Sequence, residues 1–145
     1  MSDNTTSLLN DPAVRVALGK AWEDSQPGPT GGHEEGGFIL RDSAGNLSIE
    51  RWPRGQQNAI VVPPHPNCRM NGRDIVATFH THPNIGSDYF QEPCETDRRA
   101  VRDDLHLKGA FYKGEFVISA QVIYRIAPTG QVSKVAKTQD YFVRD

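Results

Sequence analysis

The chain has 145 residues, 37% hydrophobic and 23% charged, which is enough to bury a core as one domain over 1–145 and too apolar for a disordered tail. A net charge of -2 and no run of Lys or Arg remove the electrostatic case for nucleic acid, and the apolar runs are far too short to cross a bilayer. The polar N-terminus lacks the basic-then-apolar pattern of a secretory signal, so a cytoplasmic protein with Cys68 and Cys94 as free thiols is expected; export by a specialised machine would leave the same sequence.

Asp11-Pro12 reads as a helix start, a capping acid followed by proline at the first helical position. Val14, Ala17, Leu18, Ala21 and Trp22 then form an apolar stripe of helical period, which predicts a helix over about 11–24 with Trp22 as core filler. The Pro- and Gly-rich stretch 26–32 ends it. Residues 36–41 predict a strand, 42–46 a turn, and 47–52 the returning strand of a hairpin. A third short strand is expected over 58–62, and a surface loop over 63–73, which holds three prolines and Asn71-Gly72. Residues 74–80 are the most continuously apolar segment and suit a central strand buried on both faces. A loop follows, then a helix from Cys94 or Thr96 to about Leu107, with Glu95 and Asp97 in its first turn, where the helix dipole favours acids. The stretch 116–126 predicts one bent strand or two, and 132–135 a last one after a turn at Gly130.

The chemistry concentrates at the end of the apolar strand. A strand sends residues i and i+2 to one face, so His80 and His82 can converge on one ion while Thr81 points away. Asp97, opening the next helix, can bring a carboxylate to the same ion. Two histidines, one acid and a water make the open four-coordinate zinc geometry of hydrolytic enzymes. Glu34 and Glu35, just before the strand at 37–40, are candidates for the general base.

These pieces resemble the JAB/MPN (JAMM) metalloprotease domain: Glu before a Gly-Gly-apolar strand, His80-x-His82-Pro83, then Pro93-x-x-x-Asp97, in that order over about 33–126. The resemblance implies an α+β fold, a mixed and largely antiparallel β-sheet flanked by helices. It implies Zn2+ held by His80, His82 and Asp97, with a Glu polarising the water. Glu34, three residues before Gly37, fits the family's spacing, and Glu35 is the second choice. The implied activity is hydrolysis of a peptide or isopeptide bond in a protein or peptide substrate, ubiquitin-like proteins among them. Cys94 stands where the family has the Ser that holds the oxyanion of the tetrahedral intermediate. A thiol donates more weakly, so this departure bears on rate more than on metal binding. The spacer between His82 and Cys94 is longer than the family's, and an enlarged loop over 84–91 would restrict access or select substrate.

Plainer readings compete. His80 and His82 could be structural, Asp97 a dipole-compensating acid and Glu34 a solvated charge. Cys94 could be a nucleophile, or a fourth ligand that closes the site. A metal-binding interaction module of the same fold, weak or inactive in catalysis, is the chief rival to the enzyme. An iron oxygenase is disfavoured by the order of the ligands, and a separate zinc site at His65 and Cys68 by the lack of a second pair.

Overall fold

The computed structural model describes residues 4–28, 32–57, 59–83 and 93–142. Helix α1 (Asn4–Asn10) and helix α2 (Pro12–Asp24) lead into β1 (Gly36–Arg41) and β2 (Leu47–Arg51). After a 3-10 turn at Pro66–Cys68 come β3 (Arg69–Met70) and the long β4 (Arg73–Thr81). Helix α3 (Glu95–Arg102) and a second 3-10 turn (Leu105–Leu107) precede β5 (Glu115–Ile118), β6 (Val122–Ile126), β7 (Val132–Lys137) and helix α4 (Thr138–Phe142).

The seven strands form one sheet in the order β2-β1-β4-β5-β6-β7, with β3 paired to the start of β4. Every pairing is antiparallel except β4 with β5, which the crossover through α3 makes parallel. The fold is therefore the α+β arrangement expected, a mixed and mostly antiparallel sheet with helices against it.

Alternation along the strands divides the core into two layers. Ile39, Phe79, Phe116 and Ile118 face α1, α2 and α4, packed with Leu9, Val14, Leu18 and Tyr141. Phe38, Leu40, Ile75 and Val117 face the other way, onto Val101 of α3 and onto Leu107 and Tyr112. Both faces of β4 are thus covered, which is why its sequence is a near-continuous apolar run rather than an alternation. Asp11 caps α2 by accepting from Ala13 N at 2.9 Å and Val14 N at 3.2 Å, with Pro12 in the first turn, as its sequence predicts.

Three expectations need correction. Residues 59–62 form no strand: Gln56 N donates to Ala59 O at 2.7 Å, and Ile60 and Val62 pack onto the second core layer instead. The stretch 63–73 is not simply surface. His65 and Cys68 are buried, and Asn71 (φ 55°) and Gly72 (φ 77°) make the two-residue hairpin turn that pairs β3 with β4. Helix α3 stops at Arg102, because Asp104 starts a new turn by accepting from His106 N at 2.8 Å. The expected enlarged loop at 84–91 lies outside the described residues. Among the described residues no helix is long and apolar enough to cross a membrane.

Candidate metal centre

The end of β4 carries the site. His80 is the last but one residue of the strand, and His82 continues its line because His82 N donates to Ile118 O at 2.8 Å. Thr81 faces the opposite layer, where its hydroxyl accepts from Glu35 N at 3.0 Å. The two imidazoles therefore share one side, with Nε2 atoms 3.2 Å apart. Asp97 arrives from the first turn of α3. Its Oδ1 lies 3.5 Å from His80 Nε2 and its Oδ2 3.3 Å from His82 Nε2.

His80, His82 and Asp97 form a group that can hold a metal ion. The spacing supports this. Ligand atoms 2.0–2.1 Å from a tetrahedral zinc stand about 3.3–3.4 Å from one another. The two imidazole nitrogens, 3.2 Å apart, are near that value, and a carboxylate oxygen of Asp97 lies 3.5 Å from the first and the other oxygen 3.3 Å from the second. Asp97 has a second duty: its Oδ2 accepts from Cys94 N at 2.9 Å, which closes the N-terminus of α3.

Electrostatics favour a cation between these side chains. Burial opposes charge on His80, but the carboxylate of Glu115 and the hydrogen bonds to Asp97 and Glu115 outweigh it and raise its pKa well above the ordinary value. Burial would likewise lift Asp97, yet hydrogen bonds from His80 and His82 hold it well below the usual carboxylate range. A proton on the imidazoles and a metal ion are alternative occupants of one acidic field, so metal affinity is expected to fall as pH falls.

Behind His80 runs a buried hydrogen-bond chain that sequence reasoning missed. Glu115 Oε2 accepts from His80 Nδ1–H, and Glu115 Oε1 accepts from the Thr78 hydroxyl at 2.8 Å. Thr78 Oγ1 lies 2.7 Å from the hydroxyl of Tyr112. Since Thr78 spends its one proton on Glu115, Tyr112 is the donor. Burial, and then the Glu115 charge, keep the Tyr112 proton in place far above the ordinary phenol range. The chain fixes the proton on Nδ1 of His80 and turns Nε2 toward the site, the usual role of an outer carboxylate behind a ligating histidine. The one sequence signal was a Glu placed directly before the apolar Phe116-Val117-Ile118.

The two glutamates part company. Glu35 faces the α2 layer and is bound at 2.5 Å to both His33 Nε2 and Arg51. Glu34 lines a cleft of about 180 Å³ together with His80, Asp97 and Glu115. Its backbone is pinned, Glu34 N to Gln56 O at 2.7 Å and Gly55 N to Glu34 O at 2.8 Å. Gly55 permits this approach, for a Cβ there would lie 2.7 Å from Glu34 O. Burial raises the Glu34 pKa, against the pull of His80 and His82.

Scans of the chain against protein-family models, curated proteins and solved structures return no match. What it does has to be read from its own residues.

Of the other candidates, Cys94 is the N-cap of α3, and both cysteines are free thiols. His65 and Cys68 make no second metal site. His65 holds Pro63 O at 2.7 Å and Asp104 at 2.6 Å through its two ring nitrogens, and Cys68 Sγ donates to Ile75 O at 3.5 Å.

Asp97→Asn separates the two duties of Asp97. The amide oxygen can still accept from Cys94 N, so the α3 cap survives, but loss of the charge facing His80 and His82 should lower metal-free stability at neutral pH by more than about 1 kcal/mol, the scale of a capping bond. Metal affinity, measured by competition with a chromogenic chelator, should fall by more than the 10–100-fold typical of an outer-shell change. Retained affinity would remove Asp97 from the ligand set.

Proposed function

We propose that this chain is a zinc-dependent peptidase or isopeptidase of the JAB/MPN (JAMM) kind. The observation that supports the reading is the convergence of four residues far apart in sequence. Glu34 lines the cleft in which His80 and Asp97 meet, and His82 completes the ligand group. A zinc ion held there would supply a Lewis acid and a bound water whose pKa is lowered to about 7. The chain supplies the rest. His80 and His82 present Nε2 atoms as neutral donors, the first oriented by Glu115. Glu34 is a buried base of raised proton affinity, suited to taking a proton from water and returning it to the leaving amine. Trp52, Ile60 and Leu107 wall the cleft and limit water around the reacting groups.

The test is metal content and cleavage measured together. Protein purified without chelator should carry about one equivalent of zinc for the ligand group of His80, His82 and Asp97. It should cleave members of a mixed peptide and isopeptide library, lose cleavage to chelator, and regain it with zinc. Protein that carries no divalent metal would sink the proposal. Protein that holds zinc tightly and cleaves nothing, even as Cys94→Ser, would point to the interaction module instead.

A further inference from the structure

We infer that the apolar half of the cleft is a recognition pocket for a bulky uncharged side chain flanking the bond that is cut. The link to catalysis rests on the hydrolase reading; the pocket itself rests on the cleft. Beyond the metal group, the cleft is walled by Trp52, Ala59, Ile60, Val62, Ala100 and Leu107. Its whole volume is about 180 Å³. An apolar cavity of about 150 Å³ accepts benzene, so a cleft of this total volume takes at most one side chain of about leucine or methionine size.

The charged groups that line the cleft and have a partner are all committed. Asp97 holds Cys94 N and faces the histidines. Both Glu115 oxygens accept, from His80 and Thr78. Asp104 accepts from His65 Nε2 and His106 N. These acids, with Glu34, set a field that repels an acidic side chain. Neither Lys nor Arg lines the cleft, and its one imidazole, His80, belongs to the metal group.

Trp52 adds the specific element. It is 3% exposed, and its indole N–H has no acceptor among the described residues. A Cβ on Gly36 would fall on its Cε3 and Cζ3 atoms, so that edge of the ring lies against β1 and the nitrogen lies on the far side. A buried donor without an acceptor is costly and is met by a ligand or a water. Trp52 also lines the cleft, so a side chain seated on the apolar wall lies against the indole and alters the surroundings of its N–H. A substrate with glycine on both sides of the bond would leave the wall uncovered. The pocket thus favours a bond flanked by a bulky apolar residue over one flanked by glycine.

The experiment uses the full chain and reads its two tryptophan side chains, Trp22 and Trp52, in proton–nitrogen correlation spectra, assigned with Trp22→Phe. The probes are N-acetyl-leucine amide, N-acetyl-glycine amide and N-acetyl-aspartate amide. The Trp52 indole signal should shift saturably with the leucine probe alone, while Trp22 stays still. Ala100→Phe, at an exposed position on the rim, should abolish the shift without unfolding the chain. In parallel, zinc-loaded protein should cleave peptides with leucine beside the scissile bond about tenfold or more better, in kcat/KM, than the glycine equivalents, on the scale of pocket discrimination. A Trp52 signal indifferent to leucine, or moved as much by glycine, overturns the pocket. Cleavage without a leucine preference also overturns it and leaves the hydrolase reading standing. A leucine-specific shift in a protein that cleaves nothing upholds the pocket and sinks the hydrolase.

Discussion

Glu34→Gln is expected to lower kcat/KM about 10²–10⁴-fold, the range over which a positioned acid–base group contributes, while leaving the metal bound. It should at the same time stabilise the metal-free fold at neutral pH. The sign follows from burial. Desolvation raises the pKa of Glu34 in the folded chain above its unfolded value. Below the unfolded value the group is protonated in both states and contributes nothing. As pH rises from there through the folded value, the unfolded chain ionises first, and the fold loses stability until both states are charged. Gln has no such titration. Melting curves of chelator-treated wild type and Glu34→Gln should therefore coincide at low pH and separate through that window, with the variant melting higher above it. Glu35→Gln is the control. It breaks the bonds to His33 and Arg51, so it should destabilise the fold and leave the cleft's base in place. Activity lost in Glu35→Gln but kept in Glu34→Gln would reverse the assignment. A group that costs stability where it is ionised and is essential to turnover has the signature of function rather than packing.

The parts of this molecule legible in its sequence are those set by local rules. Asp11-Pro12 and the stripe from Val14 to Trp22 define α2 because capping and helical period are local. The run at 74–80 announces β4 because a strand covered on both faces has no polar side to show. His80 and His82 follow from the two-residue period of that strand, and Asp97 from its place in a first helical turn. The choice between Glu34 and Glu35 was not local. Adjacent residues on an extended chain face opposite layers, and which layer holds the site depends on the whole sheet. Helices α1 and α4, seven and five residues long, are below the length at which periodicity speaks; they form because tertiary contacts hold them, as when the Tyr141 hydroxyl donates to Leu9 O at 2.6 Å. The apolar letters at 59–62 suggested a strand, but burial there is against the cleft and the second core layer, not within the sheet.

Glu115 shows most clearly what lay beyond the sequence. Its partners Thr78 and His80 are 37 and 35 residues away. They meet only because β5 runs parallel to β4 in a register that sets Thr78 opposite Glu115. A parallel register is fixed by the crossover between the strands, here through α3, and no turn signature encodes it.

The same residue carries the second large expected effect. Glu115→Gln should weaken zinc binding about 10–100-fold, the usual cost of disturbing the partner of a ligating histidine. Glutamate accepts two protons here, one on each oxygen, from His80 and from Thr78. Glutamine has one acceptor and one donor, so one of the two bonds must reverse. If its amide N–H faces His80, Nδ1 must accept and the ring proton moves to Nε2, the atom that would bind the metal. If it faces Thr78, the hydroxyl must turn its proton to Tyr112, and the buried phenol loses its acceptor. Both outcomes damage the site, the first through the tautomer and the second through the core. Tyr112→Phe spares the Thr78–Glu115–His80 bonds and should weaken zinc binding by less than about tenfold, below the outer-shell range. The decisive measurement is the order of the two variants in zinc affinity at one pH, with the histidine tautomers read from ring-nitrogen shifts. If Tyr112→Phe is the more damaging, or if His80 in Glu115→Gln keeps its proton on Nδ1 with full affinity, the carboxylate is structural and the orientation of His80 comes from the sheet alone.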